Sequence, residues 1–250
     1  MDVRVQGEAE PTPFLRAKAA FETEYDLSDP IKVFVRDELD GRTWTAHYDD
    51  HHVLSMSQGA AGSTMARELA IHEFAHMYRH EHGHVSHRQS TAEAIYLSAA
   101  GRRVPKARIT HCYQIANHMK DIYADDLTVE VTPTEKLVRY LESMIAASVA
   151  ATGPPAWAVG ESAHEQPDAG ISAVNAAFAL GLVERHDLVE HDHQLYELAN
   201  VAASDAPWVP FERFRTLFRD LEPDPNESEY RRSLVDATST YLGSQEQAAD

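Results

Sequence analysis

A chain of 250 residues, 43% hydrophobic and 25% charged, can bury a core as one domain or as a domain with a smaller helical partner. Its formal charge of −18 repels nucleic-acid phosphates unless a local basic patch intervenes, and the strongest basic stretch, GRRVPKAR at 101–108, is followed by acidic segments, so no nucleic-acid partner is expected and a DNA-linked regulator fits the charge badly. No run approaches the ~18 apolar residues of a membrane span, the opening MDVRVQGEAE has no basic start before an apolar block, and the single Cys112 cannot close an internal disulfide, so a cytoplasmic protein is expected.

Residues 12–25 predict an amphipathic helix with Thr12 as N-cap and Pro13 at N1. IKVFVRD (31–37) alternates as a strand does, and GRTWTAHY (41–48) and HHVLSMS (51–57) predict two more strands around the Asp49–Asp50 turn. QGAAG (58–62) breaks the pattern, and a helix follows from about Ser63 to Arg79 with Met65, Leu69, His72 and His76 along one stripe. HGHVSHRQS (82–90) is loop-like, TAEAIYLSAAG (91–101) a short helix ended by Gly101, and a long helix runs from Lys106 to Asp126 before a brief extended TVEV. Thr132, Pro133 and Glu135 open a helix to 151 as cap, N1 and N3. Gly and Pro in 152–170 mark a linker, and helices near 171–185, 187–203, 210–221 and 226–242 complete a C-terminal subdomain. The organisation is thus a domain over 1–151, a linker over 152–170 and a helical subdomain over 171–250.

HEFAHMYRHEHGH (72–84) fits His-Glu-x-x-His twice. Two histidines four apart share one helix face, about 40° apart with a rise near 6 Å. Their ring nitrogens can therefore meet one ion, while the Glu after the first histidine reaches a water beside it as a general base. A chain with 15 histidines produces the bare pattern by chance, so context decides. The second copy (His80, Glu81, His84) contains Gly83, lacks apolar neighbours and reads as a solvated polar tail. The first (His72, Glu73, His76) sits among Leu69, Ile71, Phe74, Ala75, Met77 and Tyr78, where buried imidazoles need partners.

With this motif, preceded by a strand and a Gly-containing turn, the stretch from about 30 to 126 resembles the zincins, the HExxH zinc metallopeptidases. The resemblance implies a zincin-like α+β fold with a small, mostly antiparallel sheet beside the motif helix. It implies HHVLSMSQGA as the edge strand lining the cleft, a zinc ion on His72 and His76, Glu73 as general base, and a peptide or protein substrate. As a whole the chain also resembles a haloarchaeal protein group, a likeness that carries no activity with it; its acidic, Arg-over-Lys composition fits such a source.

A catalytic zinc takes a third protein ligand. His82 stands where metzincins place theirs, but they have Gly where this chain has Arg79, and His80 lies about 12 Å along the helix from His72. Glu93 resembles the downstream glutamate of gluzincins. Asp121 lies on a polar stripe of the long helix (Thr110, Gln114, Asn117, His118, Asp121, Asp125) that lacks Lys and Glu, and DIYAD resembles the gluzincin ExxxD pattern, whose second acid orients a ligand. We assign the third position to Asp121, with Glu93 as the alternative. His118 and Tyr123 are candidates for stabilising the oxyanion. His186, His191 and His193 form a further histidine group that reads as a polar helix junction, and FERFRTLF (211–218) as an amphipathic helix packing on its neighbours or on a homodimer partner. The alternative to a peptidase is a non-catalytic module that keeps its metal for stability and binds a protein partner.

Overall fold

Residues 1–152 and 168–247 are described by the structure, a computed structural model. The chain is α+β and folds into two compact units: residues 1–88 with 120–134, and residues 89–119 with 135–250. Segments 89–119 and 135–151 of the expected amino-terminal domain therefore group with the second unit. Most of the expected linker, 153–167, lies outside the described residues. No helix among the described residues is long and apolar enough to cross a membrane.

The first unit is built on a four-stranded sheet in the order β1-β2-β4-β3, with β1 at Val3–Gln6, β2 at Ile31–Arg36, β3 at Trp44–His47 and β4 at His52–Ser57. β1–β2 and β2–β4 are parallel, and only β3–β4 is antiparallel. This corrects the expectation of a mostly antiparallel sheet. The β3–β4 hairpin forms locally around the Asp49–Asp50 turn, but it docks through β4, whose direction matches that of β2. β4 is therefore interior, and the edges are β1 and β3, so HHVLSMS is not the edge strand. The register places Val5, Val33 and Leu54 in one row, and Val33 and Leu54 are fully buried.

Helix α1 (Thr12–Phe21) sends Phe14, Ala17 and Phe21 into the core. Its N-cap is Pro11, so Thr12 and Pro13 occupy the first turn instead of the cap and N1 positions expected. α2 (Gln58–Gly62) is a single turn capped by Ser57, whose Oγ accepts the Ala60 N–H. α3 (Ala66–Glu81) buries Ala70, Ile71, Phe74, Ala75 and Met77 against the same cluster. Each large apolar side chain fully buried there stabilises the fold by about 1.5–3 kcal/mol. The short α4 (Val85–Arg88) follows.

The long helix α6 (Lys106–Val131) supplies residues to both units; its segment 120–131 brings Ala124 and Leu127 to the first core. TVEV is helical, not extended: Thr128 is buried and its hydroxyl donates to the Ala124 carbonyl one turn back. Burial thus overrides the weak helix propensity of a β-branched stretch.

The second unit contains α5 (Thr91–Ala99), residues 106–119 of α6, α7 (Glu135–Thr152), α8 (Ala169–Arg185), α9 (Gln194–Asp205), α10 (Phe211–Arg219) and α11 (Glu227–Gln247). Phe211, Phe214 and Phe218 bury the apolar face of α10. A Cβ on Gly181 of α8 would come within 2.8 Å of Phe218 Cβ, so glycine permits the close approach of α8 and α10. Polar pins such as Ser98 Oγ with Thr238 Oγ1 (2.6 Å) and His111 Nδ1 with Tyr241 Oη (2.6 Å) fix the helix registers.

Candidate metal centre

The core-facing residues of α3 leave His72, Glu73 and His76 half-buried on its flank. The two rings are nearly perpendicular, with centroids 4.7 Å apart, and their Nε2 atoms are 3.1 Å apart. Asp121 Oδ1 lies 3.3 Å from His76 Nε2 and 3.8 Å from His72 Nε2. Ligand atoms at about 2.0–2.1 Å around a tetrahedral ion are spaced about 3.3 Å apart. Two edges of the triangle of two imidazole nitrogens and one carboxylate oxygen are close to that spacing, and the third, between His72 and Asp121, is longer. The group could hold a single divalent ion with Asp121 drawn closer to His72. These three residues are one of two groups among the described residues able to hold a metal.

Asp125, one turn after Asp121 on α6 and only 4% exposed, accepts a hydrogen bond from His72 Nδ1 at 2.7 Å. This fixes the ring with Nε2 turned toward His76 and Asp121. Arg79 Nε donates to the Tyr123 carbonyl at 2.9 Å and so ties α3 to the segment that bears both acids. Arg79 stays within the helix, as its lack of glycine's conformational freedom predicts.

The acids around His72 favour a positive charge on its ring. Burial disfavours a charged His72 ring, but the charge and hydrogen bond of Asp125, with Asp121 and Glu73, outweigh it and raise its pKa to about 10. In the metal-free protein His72 therefore carries a proton at neutral pH, and the 3.1 Å contact between the two Nε2 atoms is then a hydrogen bond. Burial also lowers the pKa of Lys120, which Asp121 opposes.

His76 turns its other nitrogen away from this triangle: its Nδ1 lies 2.8 Å from His87 Nε2. His87 Nδ1 is 2.8 Å from Ser86 Oγ, which is 2.7 Å from His84 Nδ1. Burial, with His76 and Lys120, pushes the pKa of His87 far down, so its ring is neutral. The Gly83 turn makes these contacts. At φ +67° Gly83 ends α3, with its N–H on the His80 carbonyl and the His84 N–H on the Arg79 carbonyl, a Schellman cap that folds α4 back along α3. His87, Ser86 and Lys120 had escaped sequence reasoning; the one signal for the first two was glycine just past a helix end, which marks a chain reversal.

The second HExxH copy is not a solvated tail. Glu81 accepts the Ser28 N–H at 2.8 Å and the Asp29 N–H at 3.0 Å, and its Oε1 is 2.9 Å from Nε2 of His52, which is 1% exposed. His52 Nδ1 meets His47 Nδ1 at 3.0 Å, and His47 stacks on His80 with centroids 3.8 Å apart. Asp29, His52 and Glu81 form the second group of metal-ligating type, yet the Glu81 carboxylate is already engaged in pinning the end of α3 to the sheet.

The other candidates have surroundings of their own. His82 is exposed and stacked on Tyr78 at 3.9 Å, with Nδ1 on the Tyr78 carbonyl. Glu93 is exposed in the first turn of α5, capped by Ser90, and belongs to the second unit. His118, also of that unit, bonds Asn175 at 2.9 Å and stacks on Phe178 at 4.2 Å. Tyr123 is 1% exposed and packs on His84, which leaves its phenol no access to a substrate. His193 caps α9, and His191 meets Tyr196. Cys112 is buried, and burial raises its pKa to about 12, which keeps it an unreactive thiol.

The model of a family of unknown function, DUF5781, matches residues 1–243, so the chain belongs to that family. No curated protein and no solved structure matches it.

Proposed function

We propose that this member of the DUF5781 family is a zinc-dependent metallopeptidase of zincin type, with His72, His76 and Asp121 as ligands. One observation carries the reading: two imidazole nitrogens and a carboxylate oxygen converge, two of their three separations close to the spacing around a single ion, and a buried acid stands behind one of the rings. The ligand order resembles that of gluzincins, with aspartate where they have glutamate.

Bound zinc would polarise a peptide carbonyl and make a nearby water more acidic. The chain supplies the rest. Glu73 takes a proton from the attacking water as its oxygen joins the carbonyl carbon, and passes that proton to the amine as the C–N bond breaks. Asp125 holds His72 in the orientation that binding needs.

The test is metal analysis of the purified protein together with hydrolysis of a mixed peptide library. We expect one zinc per chain, lost in His76→Ala, and hydrolysis that disappears in Glu73→Gln while zinc stays bound. Hydrolysis unchanged in Glu73→Gln removes the base, and wild-type protein without zinc removes the whole reading.

The non-catalytic alternative has its own support, because the ligands join α3 to a distant segment of α6 and an ion there would cross-link the first unit. On that reading the metal-loaded wild type cleaves no peptide, and removing zinc changes only stability.

A further inference from the structure

We propose that His87 is a positioning residue: it holds His76 in the tautomer that carries its proton on Nδ1, and so aims the lone pair of His76 Nε2 at His72 and Asp121. The inference rests on the metal reading above for its functional meaning, but the tautomer can be read without any metal.

A neutral imidazole has one N–H and one lone pair, so either nitrogen can face the site unless a neighbour decides. For His72 the neighbour is a carboxylate, Asp125, which can only accept. For His76 it is another imidazole, and the direction of that bond must be set further out. Ser86 Oγ and the Ser86 N–H both approach His84 Nδ1, at 2.7 and 3.3 Å. His84 Nδ1 then serves as acceptor, and the Ser86 hydroxyl proton points to it. The Ser86 oxygen is left to accept from His87 Nδ1 at 2.8 Å. With its proton on Nδ1, His87 presents a bare Nε2, and His76 must donate to it. The direction thus runs without conflict from His76 through His87 and Ser86 to His84, and Ser86 is fully buried, so no solvent competes for its hydroxyl. Outer partners of ligating histidines act in this way on tautomer and ring orientation. The two rings of the pair are therefore oriented by different chemistry, His72 by a charge and His76 by a chain of neutral groups.

Two readouts test this on the full-length protein and its His87→Phe and His87→Gln variants. The first is the ¹⁵N spectrum of the metal-free histidine rings. We expect His76 as the Nδ1–H form in wild type, where the protonated His72 also donates to its Nε2. In a His72→Phe background, which removes that second donor, His76 should keep the Nδ1–H form. It should become a mixture of tautomers when His87→Phe is added, and return toward the Nδ1–H form with His87→Gln, whose amide oxygen can accept from Nδ1. The second is titration with cobalt(II), followed by its visible absorption. His87→Phe should bind about 10–100-fold more weakly than wild type, with His87→Gln recovering most of the loss. Wild-type His76 carrying its proton on Nε2 overturns the proposal, as does His87→Phe binding cobalt as wild type does, or Phe and Gln variants that are equally impaired. Wild type that binds neither cobalt nor zinc while showing the expected tautomer removes the metal reading and leaves the His87–His76 coupling in place.

Discussion

Nδ1 of His72 and Oδ1 of Asp125 lie 2.7 Å apart, 53 residues apart in sequence, and the carboxylate is almost fully buried. Replacing the acid by Asn keeps its shape and removes its charge. Asp125→Asn should therefore weaken zinc binding about 10–100-fold. Competition with a chromophoric chelator measures this, and unchanged affinity would make the pair incidental to metal binding.

Asp121 and Glu73 are both acids beside His72, and the roles given to them separate under mutation. Asp121→Ala should abolish stoichiometric zinc binding, whereas Glu73→Gln should keep zinc and lose hydrolysis. Metal content by mass spectrometry alongside a peptide assay distinguishes them. If Asp121→Ala retains zinc at wild-type affinity, the third ligand is misassigned.

Stability of the metal-free protein should fall as pH rises. The folded pKa of His72, about 10, lies above the 6.5 of a free histidine. Its contribution is fully present below pH 6.5 and is lost as pH climbs through 10. Over the same range zinc binding should strengthen, since the ion displaces that proton. Thermal melts of metal-free wild type and Asp125→Asn from about pH 6 to about pH 10 check the first point, with a flatter profile expected for the variant. Equal profiles would remove His72 as the source.

Gly83→Ala should cost about 1–2 kcal/mol, because an L-residue is disfavoured at φ +67°. The added Cβ would also come within 2.9 Å of the Arg88 guanidinium. Urea unfolding reads the cost, and a neutral result would mean that the turn relaxes easily.

Glu81→Ala distinguishes the two motif copies. It removes the acceptor of two backbone N–H groups and the partner of a buried histidine, so a loss of at least ~2 kcal/mol is expected. Zinc content should not change. Loss of zinc with stability intact would reverse the roles given to the copies.

Much of the first unit was legible residue by residue. The alternation of Ile31, Val33 and Val35 marked β2, and a polar stripe on α6 without Lys or Glu singled out Asp121 and Asp125, which the fold brings to His72 and His76. What escaped was non-local. Val3 and Val5 are too few to announce β1, and nothing in HHVLSMS reveals that β4 lies between β2 and β3, because strand partners are chosen by the assembled core. His87 escaped for the same reason: its contact depends on how Gly83 turns the chain, and the interval of 11 residues to His76 has no meaning along a continuous helix.

The 16 residues of α3 act as a ruler shared by two unlike fixtures. His72 and His76 are read against Asp121 and Asp125, and Glu81 is read against Ser28, Asp29 and His52. One residue inserted between Met77 and Tyr78 would rotate one fixture by about 100° relative to the other. Neither could be restored without dislodging its counterpart, so the length of this helix is constrained from both ends at once, and tolerated insertions in the first unit belong in its loops.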